Sequence, residues 1–165
     1  MEQIVEFVET SNELEELDLS WNNFRPTNFV LLMTTLQKNG ILRVLNLSWN
    51  LMIESQEQKE KSEYIYPVNN AKFFNREDWE LSPSEILANR FSYMIRYNVN
   101  LQHLNLTNTG LSEMFLFSML PALRRAKSLL SFHMGANPGI NKKIQKYYMD
   151  KLRCGSTQNN VQIQI

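Results

Sequence analysis

The sequence predicts an α/β fold made by stacking one small strand–helix unit on the next. Three observations predict it. A nine-residue pattern of leucines closed by asparagine recurs four times, its copies stand at a regular spacing, and stretches of helical apolar period fill the gaps. Residues 14–22 (LEELDLSWN) and 42–50 (LRVLNLSWN) fit L-x-x-L-x-L-x-x-N in full, whereas 101–109 (LQHLNLTNT) and 129–137 (LLSFHMGAN) are degenerate copies.

The spacing inside the pattern is that of a short strand. Alternate strand side chains point the same way, so Leu17 and Leu19 face inward while Glu16, Asp18 and Ser20 face out. Aligned copies give apolar columns: Leu14, Leu42, Leu101, Leu129; Leu17, Leu45, Leu104, Phe132; and Leu19, Leu47, Leu106, Met134. The closing column is Asn22, Asn50, Thr109, Asn137. An amide there bonds backbone groups left open by the turn, and stacked copies satisfy one another's loops. A buried polar group left unpaired costs roughly 1–3 kcal/mol, so Thr109 reads as a milder member of the ladder.

Leu14 and Leu42 stand 28 positions apart, as do Leu101 and Leu129, while Leu42 and Leu101 stand 59 apart. One repeat therefore carries an insertion, at about 53–81. A 28-residue unit has room for a strand, a loop and a full helix, and resembles the ribonuclease-inhibitor-like class of leucine-rich repeats. Relatives in that class include tropomodulin, the Ran GTPase-activating protein, NOD-like receptors and several ciliary proteins. The resemblance implies a right-handed leucine-rich repeat solenoid, with a short parallel sheet on the concave face and helices on the convex face. The LSWN tetrapeptides and the stretch ALRRAKSLLSFHMGANPGI (122–140) look like leucine-rich repeat proteins of protist and animal cilia. That resemblance implies a ciliary or axonemal component.

Taken in order, residues 2–10 read as a helix whose Ile4, Val5 and Val8 sit 28 positions before Leu32, Met33 and Leu36. The chain thus starts at the helical half of a repeat with nothing polar to cap it. Solenoids shield their end repeats, so more protein or another chain is expected to cover this end. After the first strand come Phe24 and then Pro26, which suits a helix's first turn. The second helix runs to about Lys38 and ends at Asn39-Gly40. The insertion opens with the charged run ESQEQKEKSE. It continues with Tyr64, Tyr66, Phe73, Phe74 and Trp79, which pack on the solenoid's own edge or dock a neighbouring subunit.

Ser82-Pro83-Ser84-Glu85 restarts the repeat, with Phe91 and Ile95 in the columns of Leu32 and Leu36. The next helix, roughly 113–126, offers Met119, Leu120 and Leu123 to the core. The last, about 141–152, carries Ile144, Tyr147, Tyr148 and Leu152 inward, with Lys142, Lys143, Lys146 and Lys151 as a solvated face. Val161–Ile165 alternates and falls where a fifth, edge strand belongs.

One domain is the default at 165 residues. Seventeen basic and seventeen acidic residues balance, which removes the electrostatic argument for nucleic acid or an anionic membrane. No apolar run approaches the roughly 20 residues that span a bilayer. Glu2, Glu6 and Glu9 do not fit a signal peptide. Cys154 is the only cysteine, so a reducing, cytoplasmic compartment is expected. The sequons at Asn46 and Asn105 lie in strands and read as coincidence.

The outward strand face is the candidate binding surface: Glu16, Val44, His103, Ser131; Asp18, Asn46, Asn105, His133; and Ser20, Ser48, Thr107, Gly135. Beside it, Trp21 and Trp49 share one position in adjacent repeats, about 5 Å apart by strand spacing. Paired indoles suit an interface anchor, or else pack on each other along the rim. Glu13, Glu15, Glu16 and Asp18 bias that end toward a basic partner. His103 and His133 are diagonal neighbours, and two histidines without a third ligand make a poor metal site. With no phosphate loop, cysteine cluster or nucleophile–base pair, catalysis and cofactors are not expected.

The expected function is a non-enzymatic protein–protein interaction scaffold inside a larger assembly. Its protein partners meet the concave face, the insertion and both solenoid ends, with no nucleic acid, membrane or small-molecule substrate. The alternative is a regulatory domain acting on a GTPase, or a substrate adaptor of a ubiquitin ligase.

Overall fold

The computed structural model describes residues 1–24, 26–52, 83–153 and 162–164. The insertion, with Tyr64, Tyr66, Phe73, Phe74 and Trp79, lies outside the described residues. The described elements are α1 (Glu2–Thr10), β1 (Glu16–Asp18), α2 (Pro26–Leu36), β2 (Val44–Asn46), α3 (Pro83–Tyr97), β3 (His103–Asn105), α4 (Glu113–Leu123), β4 (Ser131–His133), α5 (Lys142–Arg153) and β5 (Gln162–Gln164).

The five strands form one parallel sheet in chain order. Register follows the leucine columns: Leu17 pairs with Leu45, Leu45 with Leu104, Leu104 with Phe132, and Phe132 with Ile163. The 59-residue interval closes into the same lateral step as the 28-residue ones, since Val44 lies opposite His103. Each helix packs on the next, α1 on α2, α2 on α3, α3 on α4 and α4 on α5. The result is a leucine-rich repeat solenoid with the sheet on its concave side and the helices on its convex side.

The core lies between those layers. Leu45, Leu47, Leu104, Leu106, Phe132 and Met134 from the strands meet Leu32, Met33, Leu36, Phe91, Met94, Met119 and Ile144 from the helices, all fully buried. Burying one such side chain contributes about 1.5–3 kcal/mol, and a lone strand–helix unit would leave half of them wet. Leu17, on the edge strand β1, is only half-buried. Tyr147 departs from its expected inward position: it is 37% exposed and leans edge-on against Phe117. Its neighbour Tyr148 takes the core place and donates its hydroxyl to the Leu116 carbonyl. Burial raises that phenol above its ordinary range.

Two polar ladders tie the turns. In the closing column, Asn50 Nδ2 donates to Leu19 O of the preceding repeat (2.8 Å) and to Leu47 O (2.9 Å). Asn137 Nδ2 does likewise to Leu106 O (2.7 Å) and Met134 O (2.8 Å). Thr109 keeps one such bond, hydroxyl to Leu106 O at 2.7 Å. The second ladder, at the helix-to-strand turn, has no counterpart in the sequence reading. Asn39 Oδ1 accepts from Ile41 N and Leu42 N while its Nδ2 donates to Val8 O. Asn98 repeats the arrangement, accepting from Asn100 N and Leu101 N and donating to Leu36 O and Asn39 O. Ser11 plays the acceptor part in the first repeat. Each stands three residues before a repeat's first leucine, and that spacing, N-x-x-L in two repeats and S-x-x-L in the first, was the available signal.

Candidate functional site

The strand face is built from short side chains that fold back on their own backbone. Asp18 Oδ1 accepts from Ser20 N (2.8 Å), Asn46 Oδ1 from Ser48 N (3.1 Å), and Asn105 Oδ1 from Thr107 N (3.0 Å). These Asx turns end each strand. Asn46 and Asn105 are half-buried, and Asn46 Nδ2 reaches Asp18 Oδ2 across the sheet at 3.0 Å. Both asparagines are therefore turn-formers first, which lowers the polar surface they offer a partner. Hydrogen bonds from the Ser20 hydroxyl, then from Ser20 N–H, and less from Asn46, hold the Asp18 carboxyl below its ordinary value against a smaller opposing desolvation.

Glu16, Asp18 and His103 are exposed on this face, whereas Ser48 and Ser131, expected there as open positions, are buried. His133 is half-buried and does not pair with Asn105: its Nε2 lies 2.8 Å from Ser131 Oγ, two residues away on the same face of β4. That contact is a serine–histidine pair, which corrects the expectation that none exists. The Ser131 hydroxyl is buried, and among the described residues no third group hydrogen-bonds His133 to orient it, as nucleophile activation requires. Among the described residues no three His, Cys, Asp or Glu side chains gather as metal ligands, and no helix is long and apolar enough to cross a membrane.

Beyond each Asx turn the backbone enters the left-handed region. Trp21 (φ 57°), Trp49 (φ 59°), Asn108 (φ 52°) and Ala136 (φ 55°) occupy one column. Each of the first three donates its N–H to the neighbouring repeat: Trp21 to Ser48 O, Trp49 to Thr107 O, and Asn108 to Gly135 O. An L-residue pays roughly 1–2 kcal/mol for this conformation, which Asn tolerates through its short polar side chain. Tryptophan has no such compensation, so its presence twice in this column is not dictated by the turn.

The αL turn and the lateral strand step bring the two indoles face to face. Their centroids lie 4.2 Å apart with planes 6° from parallel. Trp21 remains 71% exposed and Trp49 45%. Leu51, two residues beyond Trp49, is 48% exposed and lies over Gly110, where a Cβ would meet its Cδ1 at 3.2 Å. The rings thus stack on each other along the rim and still present apolar surface to solvent. Below it, the acidic row is partly neutralised, Arg43 bridging Glu15 at 3.2 Å and reaching Gln102 at 3.1 Å. The lysine face of α5 is also engaged: Lys143 bonds Glu113 at 3.1 Å and lies 5.4 Å over the Phe117 ring.

No family model matches the chain, and no curated protein matches it. Solved structures do. The leiomodin-1 domain described as actin-binding site 2 aligns with a TM-score of 0.66 at 12% identity, covering 99% of this chain and 78% of that one. The tropomodulin C-terminal domain of Caenorhabditis elegans aligns with a TM-score of 0.63 at 12% identity, covering 99% and 82%. At that identity the likeness establishes the fold. It also corrects the expected ribonuclease-inhibitor-like ciliary or axonemal resemblance: structural similarity runs instead to the leiomodin and tropomodulin domains, tropomodulin alone having been named among the expected relatives.

Proposed function

We propose that this chain is a non-enzymatic protein–protein interaction domain of a larger, cytoskeletal assembly, which docks its partner through the Trp21–Trp49 ridge and the adjoining strand face. One observation carries the reading: two large aromatic side chains stand stacked and exposed at backbone positions that disfavour them. Unfavourable residues kept against local preference mark sites where something other than folding is served, and exposed tryptophans are enriched among binding hot spots. Glu16, Asp18 and His103 flank the ridge as its polar rim. The aromatic insertion residues, from Tyr64 to Trp79, add a second contact on the same partner or on a neighbouring subunit.

Actin is the first partner to test, because the leiomodin-1 domain with this fold is described as an actin-binding site. The chain should co-sediment with filamentous actin or co-elute with monomeric actin, and a double Trp21→Ala, Trp49→Ala variant should lose that binding with an unchanged circular dichroism spectrum. Undiminished binding by the double variant would refute the ridge as the docking site. Absence of any binding to either form of actin would remove actin as the partner.

A further inference from the structure

We infer that the open edge of β1 receives an extended segment of the protein partner as an added parallel strand, with a basic residue opposite Glu16 and an aromatic residue stacked on Trp21. The inference rests on the docking role proposed for the Trp21–Trp49 pair and specifies how the partner is held there. In the sheet β1 pairs only with β2, so one side of its backbone is unpaired among the described residues. The repeat shows which groups stand on that side. Arg43 N and Val44 N donate to Glu15 O, while Asn46 O and Ser48 O accept from Leu19 N and Trp21 N. Their equivalents one repeat earlier are the N–H groups of Glu15 and Glu16 and the carbonyls of Asp18 and Ser20, which therefore face the open edge. Ser20 O also accepts from Asn22 Nδ2, just as Ser48 O accepts from Asn50 Nδ2 while still bonding Trp21 N. Such a row is a template for a further strand.

Side chains along the same edge specify what fits it. Leu14 and Leu17 are only half-buried, whereas their counterparts Leu42, Leu45, Leu101 and Leu104 are buried. Leucines at the matching positions of an added strand would cover them, as Leu45 opposite Leu17 does from the other side. Trp49 covers the face of Trp21 turned toward β2, and Trp21 is still 71% exposed, so its edge-side face is open. The ring spacing of 4.2 Å is close to the roughly 4.8 Å between strands. Trp21 stands five positions after Glu16, so in a parallel strand the residue five positions beyond the one facing Glu16 falls on that indole. In an antiparallel strand it would fall at the opposite end of the edge. Glu16 is exposed, faces Val44 on β2 and has no ion pair among the described residues, whereas Glu15 is bridged by Arg43. A lysine or arginine directly opposite Glu16 is favoured there and an acid is disfavoured. The segment that fits thus reads basic, aliphatic, polar, aliphatic, any residue, aromatic.

The repeat itself supplies the probe: a capped peptide of residues 42–50 carrying Val44→Lys, followed by a glycine–serine–lysine tail for solubility. Binding to the full chain is read from the indole N–H resonance of Trp21, assigned with Trp21→Phe, and from hydrogen exchange at the Glu15 and Glu16 amides. Expected are a saturable shift and, at saturation, exchange slowed about tenfold or more at both amides. N-methylation of the peptide leucine in the Leu47 position, whose N–H meets Asp18 O, should weaken binding about fivefold or more. Glu16→Lys in the chain should weaken it about threefold or more, with recovery when the peptide carries glutamate in place of its lysine. Unchanged exchange at the two amides on binding, equal affinity of the N-methyl peptide, no recovery on the charge swap, or no shift at the peptide's solubility limit would overturn the inference. So would protection of the Glu15 and Glu16 amides in the free chain equal to that of Gln102 and His103, their bonded counterparts, because the chain would then cover the edge itself. The two readings fail separately. Glu16→Pro deletes an outward N–H on an edge strand, where proline is tolerated. A protein partner lost on Trp21→Ala, Trp49→Ala but held unchanged by both Glu16→Pro and Glu16→Lys sinks strand addition and leaves the ridge. A partner held by the double tryptophan variant sinks the ridge itself, and with it the aromatic contact on which the added strand depends.

Discussion

Asn50 and Asn137 occupy the same column, share one residue type and are almost equally buried, at 3% and 4% exposure, yet their removal should differ greatly in cost. Asn137 Oδ1 accepts from Thr109 N (2.9 Å) and Leu111 N (3.0 Å), while its Nδ2 donates to Leu106 O and Met134 O. Among the described residues Asn50 Oδ1 has no hydrogen-bond partner. Replacing Asn137 by leucine strands Thr109 N, Leu111 N and Met134 O, while Leu106 O keeps its bond from the Thr109 hydroxyl. Replacing Asn50 strands only Leu47 O, because Leu19 O retains Asn22 Nδ2. At roughly 1–3 kcal/mol per stranded group, the two additional stranded groups should make Asn137→Leu cost about 2–6 kcal/mol more than Asn50→Leu. Losing the unpaired Asn50 oxygen also offsets part of the smaller loss. Urea unfolding with an unchanged m-value measures the difference. Should Asn137→Leu leave too little folded protein, Asn137→Thr keeps a hydroxyl of the kind Thr109 uses and should fall between. Equal midpoints for the two leucine variants would show that the column acts by side-chain volume and not by its hydrogen bonds.

Three further outcomes are expected. Gly139→Ala should destabilise by about 1–3 kcal/mol or more, because a Cβ there would stand 2.3 Å from Ser112 C and 2.4 Å from Glu113 N. Gly40→Ala, whose Cβ meets nothing within 4 Å, should be neutral or stabilising, so a Gly139→Ala melting temperature matching that of Gly40→Ala would contradict the close approach. Trp21→Asn should leave stability within about 1 kcal/mol of wild type, since relief of αL strain offsets the lost ring stacking; a larger loss would mean that the indole serves folding. The stability contributed by Asp18 comes from a carboxyl whose folded value lies below its reference value of 3.8. It is therefore present above that pH and lost as pH falls through the depressed value. The urea midpoint advantage of wild type over Asp18→Asn should shrink below about pH 4, and a gap that stays constant into acid would refute the linkage.

The sequence by itself determined the repeat. Period-two leucines and a 28-residue spacing leave each unit with more apolar surface than it can bury alone, so Leu17, Leu45, Leu104 and Phe132 had to align on one sheet. The closing asparagines and the tolerance for Thr109 were legible for the same reason, because a turn that opens backbone groups needs a side chain to close them. Tertiary structure decided what depends on a neighbour. The Asx turns, which turn Asn46 and Asn105 from open polar groups into backbone supports, require coordinates for both ends of the bond. Which of two adjacent tyrosines enters the core is set by the position of Leu116 on the preceding helix, and so Tyr148 is buried while Tyr147 is not. The equivalence of Trp21 and Trp49 could be read from the pattern, but not their left-handed backbone, their face-to-face contact or the open face that remains. Those follow from the angle at which each turn leaves its strand, fixed only once adjacent repeats exchange hydrogen bonds.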